Sequence, residues 1–276
     1  MPELPEVETV RKTLEPLLIN HKITNIRIFL NKIVKNPDIL TFKSKIVGQT
    51  IHKVERKAKL IIFVLNDDVL LSHLRMEGKY YYQKKDEKIN WKHVLLVLDL
   101  DNGYQLRYHD TRRFGTFHLQ NKKTYQALKP YTNIGPEPWN ELVTVNYLKE
   151  KWNNKKQKVK TALLDQTIIS GLGNIYADEV LFAAKVHPET PVNKLSSEDL
   201  NAIISNAIKI LKLSIELGGS TIATYTSSLG IKGTFQNHLQ VHTRVNQPCF
   251  ICQNIIKKIK VNNRGTYFCS YCQTKK

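Results

Sequence analysis

Acidic residues are missing from the end of this chain: from Leu217 onward there are eight Lys and Arg and no Asp or Glu. Cysteine is absent from residues 1–248, and all four cysteines fall in the last 28 positions. A cysteine-free bulk speaks against a secreted, disulfide-built protein. The opening MPELPEVETV carries three acids and no apolar core, unlike a secretory leader. No apolar run exceeds six residues, which excludes a membrane-spanning helix. Neither an amphipathic basic helix nor a lipidation signal points to a membrane surface. The expectation is a cytoplasmic, globular chain.

What is present is positive charge. Forty-two basic and 24 acidic side chains give a formal charge of +18, far more than solubility needs. Steering toward phosphate accounts for it, and DNA or RNA is the first candidate. The 276 residues, 41% hydrophobic, leave room for two modest domains with a core each. There is no internal repeat, and the one biased segment is the lysine-rich stretch Lys149–Lys160.

The cysteines are spaced Cys249-x2-Cys252-x16-Cys269-x2-Cys272. Two such pairs match a four-thiolate zinc site, each pair a knuckle and the intervening residues a β-hairpin. A pair of disulfides is the alternative, and it fits a cytosolic chain poorly. Structural zinc supplies folding energy, so one Zn2+ is expected to hold the hairpin together. His242 resembles a ligand, yet four cysteines already complete a tetrahedron.

Local patterns divide the chain. Pro5 and Glu6 open a helix with Val7, Val10 and Leu14 on one face. Strand-like segments follow at Leu60–Leu65, Val69–Leu74, Lys79–Tyr82, His93–Leu98, Tyr104–Tyr108 and Thr116–Leu119, with Asp101-Asn102-Gly103 as a hairpin turn. These predict a β-sandwich with a helix along its edge. Thr132–Pro138 reads as a linker. Helical periodicity then covers Asn146–Trp152, Val159–Gln166, Ile175–Ala184 and Ser197–Leu217, the last stopped by Gly218-Gly219. Ser220–Phe235, poor in large apolar residues, reads as a mobile loop. The class is α+β, with domains at 1–132 (β-sandwich), 146–237 (helices and loop) and 238–276 (zinc hairpin), and a linker at 133–145.

Chemistry is most concentrated at the N-terminus. Removal of Met1 leaves Pro2 with a free secondary amine. An α-amino group titrates near pH 8, so roughly a tenth is unprotonated at neutrality, against about one lysine in two thousand. Such an amine is a ready nucleophile toward a carbon that becomes an imine. The helix dipole lowers its pKa while Glu3 and Glu6 raise it. Glu3 could move protons at a sugar. Its plainer reading, shared with Glu6, is an acid that complements a helix N-terminus.

The opening Met1-Pro2-Glu3-Leu4-Pro5-Glu6-Val7-Glu8-Thr9 resembles the start of the formamidopyrimidine-DNA glycosylase family. The resemblance continues through Ser72–Gly78, Asp110–Gly115, Ile134–Pro138, Gly171–Glu179 and the cysteines, in the family's order and over nearly the whole chain. It implies a bifunctional repair enzyme that binds damaged double-stranded DNA as a monomer, without a nucleotide cofactor. Such an enzyme excises 8-oxoguanine opposite cytosine, and formamidopyrimidines, then nicks the abasic site by β,δ-elimination. By this resemblance Pro2 attacks C1′, Glu3 is the general acid/base at the ring oxygen, and Lys59 holds the phosphate beside the lesion. Lys57, its neighbour, reads as a solvated charge.

Extruding a base costs a few kcal/mol, which side chains entering the vacated space partly recover. The resemblance gives that part to Met76, with Arg112 on the orphaned cytosine and Phe114 as the wedge. Singly, these read as a surface methionine, a solvated arginine and a core phenylalanine. Gly171-Leu172-Gly173-Asn174 resembles a helix-two-turn-helix element, with Asn174 on a phosphate. Arg264, between the cysteine pairs, resembles the arginine that grips phosphate at the lesion. DNA contacts are also implied for His73 and His93, and a lid for Ser220–Phe235 with Thr221 and Tyr225. Lysines around Lys155–Lys160 are expected along the DNA backbone.

Val241-His242-Thr243-Arg244-Val245-Asn246 departs from the family's usual run, where Tyr-Gly-Arg and a further Gly are common. Two rivals remain. An endonuclease VIII-like enzyme would act on oxidised pyrimidines, but Leu4, Met76, Arg112 and Phe114 favour purines. A non-catalytic zinc-bearing DNA-binding protein would not need Pro2, Glu3 and Lys59.

Overall fold

The computed structural model describes residues 1–87, 91–220 and 233–275, in two compact units. The first holds residues 1–132 with Gly218–Ser220 and Gly233; the second holds 133–217 and 234–275. Gly218–Ser220 and Gly233 therefore group with the N-terminal unit rather than with the helices before them.

In the first unit α1 (Leu4–Leu18) carries Pro5 in its first turn and buries Leu4, Val7, Val10, Leu14 and Leu18. After it come β1 (Ile23–Ile28), β2 (Val34–Asn36), α2 (Ile39–Ile46), β3 (Lys53–Lys57) and β4 (Leu60–Val64). Then follow β5 (Asp68–His73), β6 (Lys79–Lys84), β7 (Val94–Leu100), β8 (Tyr104–His109) and β9 (Thr116–Asn121). The strands form two sheets, ordered β1-β7-β8-β6 and β2-β9-β5-β4-β3. Among the described residues, only the short β2–β9 pairing of these sheets is parallel.

Ile26, Leu96, Leu98 and Tyr108 of one sheet share a core with Val54, Phe63, Leu70 and Phe117 of the other. Val7, Val10 and Leu14 of α1 complete it. Each such side chain contributes about 1.5–3 kcal/mol by leaving water. The expected β-sandwich is present, and β4 to β9 lie where the strand-like segments placed them. β1, β2, β3 and α2 were not anticipated.

The second unit contains α3 (Val145–Trp152), α4 (Val159–Leu163), α5 (Asn174–Ala183), α6 (Ser197–Glu216) and a hairpin of β10 (Lys257–Val261) and β11 (Arg264–Phe268). α4 stops short of the expected Gln166. The Asp165 carboxylate accepts from the Thr167 N–H at 3.0 Å and hydroxyl at 2.7 Å, a local turn that competes with the helix. α6 starts at Ser196 through a capping box with Asp199. The hairpin turns at Asn262 and Asn263, both with positive φ, as a tight two-residue turn requires. Among the described residues no helix is long and apolar enough to cross a membrane.

Candidate nucleic-acid interface

Strand register gathers the predicted residues of the first unit at one end of the sandwich. In one sheet Lys57 pairs with Leu60, Leu60 with His73, and His73 with Thr116. In the other, Lys79 and Val94 both pair with His109. Lys59, His73, Met76, His93, Arg112 and Phe114 all lie on or beside those strand ends. Arg56 Nε donates to Glu8 at 2.8 Å, which brings the early turns of α1 to the end of β3. Ala58, Arg75, His93 and Arg113 have positive φ. Left-handed backbone at non-glycine residues is costly and concentrates at functional turns.

Met1 is exposed, while Pro2 and Glu3 beneath it are buried. Glu3 is the N-cap of α1, and its N–H donates to Glu6 Oε2 at 2.8 Å. The other Glu6 oxygen accepts from the Ser220 N–H at 2.8 Å and hydroxyl at 3.2 Å. Glu6 thus ties the start of α1 to the segment that follows α6. A helix-dipole role for Glu6 does not reveal this contact, because nothing in the local sequence points to a partner 214 positions away. Thr221 and Tyr225 lie outside the described residues.

Lys59 is buried, only 5% exposed. Burial, with the positive charges of Arg75 and Lys59 nearby, pushes the His73 imidazole down to about 3. His73 is therefore neutral, and its Nδ1 accepts the Arg75 N–H at 3.0 Å. The ring proton then sits on Nε2, a donor suited to an anion. His93 Nδ1 is buried without a hydrogen-bond partner. Lys57 is not the solvated charge expected. Its ammonium lies 3.8 Å from the Tyr131 ring centre and donates to the Tyr131 carbonyl. That attraction holds it on the protein surface.

The turn bearing Arg112 and Phe114 is built on Asp110, a buried carboxylate. Asp110 accepts from the N–H groups of Arg112 at 3.0 Å, Phe114 at 2.8 Å and Gly115 at 2.8 Å. Tyr108 lies against this turn and against Gly78 of the Met76 turn. A Cβ on either Gly78 or Gly115 would overlap the Tyr108 hydroxyl. Arg112 and Phe114 stand exposed, the guanidinium 5.0 Å from the ring centre. Phe114, 51% exposed, is not a core residue, which removes the plainer reading. Met76 is partly exposed on its turn.

In the second unit Asn174 opens α5 and Arg264 opens β11. Asn174 Nδ2 donates to the Gly265 carbonyl at 2.9 Å, so the helix start and the hairpin turn are joined. Asn174 Oδ1 is buried with no hydrogen-bond partner, and Arg264 is exposed. Lys160 contradicts the expectation that it touches DNA. It is fully buried, and its ammonium donates to Asp178 Oδ1 at 2.6 Å and the Asn174 carbonyl at 2.7 Å. Charge alone suggested solvent, and only the buried partner shows otherwise. Lys158 pairs with Glu189 at 2.5 Å.

The four cysteine sulfurs lie within 4.8 Å of one another. The 3.9 Å between Cys249 and Cys272 and 3.4 Å between Cys252 and Cys269 are too long for disulfides. Sulfurs at about 2.3 Å from one tetrahedral zinc stand close to these separations from one another. Burial and the neighbouring sulfurs push the Cys272 thiol up. Four thiolates so close need a cation at their centre. The cluster fits one zinc ion, and His242 is not part of it: its Nδ1 lies 2.7 Å from Asp178 Oδ2.

Comparison with known proteins covers all these elements. Residues 1–117 match the formamidopyrimidine-DNA glycosylase N-terminal domain, residues 134–226 the H2TH domain of that enzyme, and residues 246–275 the zinc finger found in FPG and IleRS. The formamidopyrimidine-DNA glycosylase of Mycoplasma mobile is 46% identical over 275 residues, 99% of either chain. That of Shouchella clausii is 45% identical over 275 residues, again 99% of each. Among solved structures, Lactococcus lactis Fpg in complex with an abasic site containing DNA has a TM-score of 0.92 at 40% identity. The alignment covers 99% of this chain and 100% of that one. MutM in complex with carbocyclic 8-oxo-G containing DNA gives 0.92 at 40% identity, with the same coverage.

Proposed function

Because the chain belongs to the formamidopyrimidine-DNA glycosylase family, we propose that it finds oxidised purines in duplex DNA, excises them and then cuts the strand. It is a base-excision repair glycosylase. The observation that carries the finer reading is the register that gathers Lys59, His73, Met76, His93, Arg112 and Phe114 at one end of the sandwich.

Pro2 is the nucleophile once Met1 is removed. Its nitrogen lone pair bonds to C1′ as the bond from C1′ to the base breaks, and the proton the nitrogen then gives up goes to the departing base. Glu3 delivers a proton to the ring oxygen, the sugar opens, and an iminium ion joins Pro2 to C1′. β-Elimination and then δ-elimination expel the phosphates on either side. Lys59 holds the phosphate next to the lesion, with His93 and the neutral donor His73 beside it. Met76, Arg112 and Phe114 occupy the space the base vacates, and Arg112 satisfies the orphaned cytosine.

Asn174 and Arg264 hold backbone phosphate, and zinc on Cys249, Cys252, Cys269 and Cys272 fixes the hairpin that presents Arg264. The lid residues Thr221 and Tyr225, a monomeric state, the sandwich, helical and zinc-hairpin domains and a cytoplasmic location complete the proposal.

Borohydride trapping tests it. Protein shown by intact mass to lack Met1 is incubated with an 8-oxoguanine·cytosine duplex and reduced. A covalent adduct that maps to Pro2 is expected. A trimmed, zinc-loaded sample that gives neither adduct nor strand scission overturns the reading, and preferential capture on thymine glycol moves the substrate to oxidised pyrimidines.

A further inference from the structure

We infer that His242 is a positioning residue for the phosphate contact of Asn174, acting through Asp178 and Lys160. The inference rests on the proposed role of Asn174. Asp178 is wholly buried on α5 and gives each carboxylate oxygen a different partner. Lys160 donates to Oδ1 at 2.6 Å, and His242 Nδ1 lies 2.7 Å from Oδ2. A carboxylate already receiving an ammonium offers the imidazole only an acceptor, so His242 Nδ1 carries the proton and donates.

Lys160 passes the constraint on, because its ammonium also donates to the Asn174 carbonyl at 2.7 Å. Asn174 in turn donates from Nδ2 to the Gly265 carbonyl, next to Arg264. The His242 ring meets Tyr267 of β11 edge-on at 4.8 Å, so one imidazole touches both the buried pair and the hairpin. An interior Lys–Asp pair is sensitive to its remaining lone pairs being satisfied. Without His242, the Asp178 carboxylate is free to turn, Lys160 follows it, and the first residue of α5 loses its anchor. His242 stands where the resemblance leads one to expect Tyr.

The test compares affinities for a duplex carrying an uncleavable abasic analogue. His242→Phe keeps a ring against Tyr267 and removes the donor, whereas His242→Asn restores a donor where Nδ1 stood. His242→Phe is expected to bind about tenfold more weakly, with the turnover rate at saturating DNA changed by less than about twofold. His242→Asn is expected to bind like the native protein. In a double-mutant cycle, adding His242→Phe to Asn174→Ala should cost nothing further, since both act on one contact.

Unchanged affinity in His242→Phe, no rescue by His242→Asn, or multiplicative losses in the double variant each overturn the inference. Should the phenyl ring prevent folding or zinc retention, His242→Leu carries the same comparison. Asn174→Ala binding like the native protein would sink the phosphate reading itself, and this inference with it. Loss in Asn174→Ala without loss in His242→Phe sinks the inference alone.

Discussion

One carboxylate organises the turn that carries Arg112 and Phe114. Asp110 takes three backbone N–H groups that have no strand to pair with. Asp110→Asn turns an acceptor into a donor facing one of them, and the expected cost is about 1–3 kcal/mol in urea unfolding. Affinity for abasic-site DNA should fall with it, because the exposed pair Arg112 and Phe114 loses its fixed setting. The resemblance marked Asp110–Gly115 as a unit, but not why an acid stands there; an acceptor for backbone groups has no periodic signature. Gly115→Ala tests the other side of the turn. Its methyl group overlaps Tyr108, and overpacking of this kind typically costs about 1–3 kcal/mol, measurable by the same unfolding.

Three histidines of the first unit set an acid limit. Burial, aided by nearby positive charges, holds His73 at about 3 and His109 and His118 at about 4, against 6.5 for each unperturbed ring. Above pH 6.5 both folded and unfolded forms are neutral, and stability from this source is complete. As pH falls from 6.5 toward 4 the unfolded chain binds protons that the folded chain refuses, so stability falls. The thermal midpoint should drop between pH 7 and pH 5, and His118→Asn should flatten that slope. A midpoint that does not move over this interval contradicts the burial argument.

At the scale of elements, the strands that stand out most are those with unbroken apolar runs, while β6, β8 and β9 are legible as short strand-like segments between turn residues. β4 and β7 are buried along their whole length and stand out in the sequence as LIIFV and VLLVLDL. β3, KVERK, buries only Val54 fully and offers too little pattern to be seen, although it carries Arg56 to Glu8. α2 is eight residues long with Phe42 and Ile46 buried, short for a periodic signal. The zinc hairpin was legible because cysteine spacing is read without any packing.

Apart from the metal, β11 anchors that hairpin through the Asn174 bond to Gly265 and the packing of Tyr267 on His242, while β10 contributes little. Most residues of β10 are exposed, and the cluster beneath consists of Phe182, Val241 and Ile256 together with the cysteines. A two-stranded hairpin is marginal alone, so the metal supplies its stability. Chelation of zinc, or Cys249→Ser, should abolish binding to abasic-site DNA while the first unit stays folded. The check pairs zinc content with affinity and with the near-ultraviolet circular dichroism signal; full affinity in zinc-free protein contradicts the argument.

At the scale of the whole molecule, charge and specificity separate. The +18 excess acts on any duplex, because phosphate is the same everywhere. Recognition of a lesion instead depends on extruding one nucleotide, a cost of a few kcal/mol that a damaged base lowers. Salt should therefore weaken binding to damaged and undamaged duplexes alike. If about six phosphates are neutralised, raising salt from about 50 to 200 mM costs roughly a thousandfold in affinity for either. Plots of log affinity against log salt should run nearly parallel, with the ratio between the two duplexes preserved. Fluorescence anisotropy on matched duplexes measures both slopes. A preference for damage that vanishes with added salt would mean that electrostatics, rather than the turns at the end of the sandwich, does the discriminating.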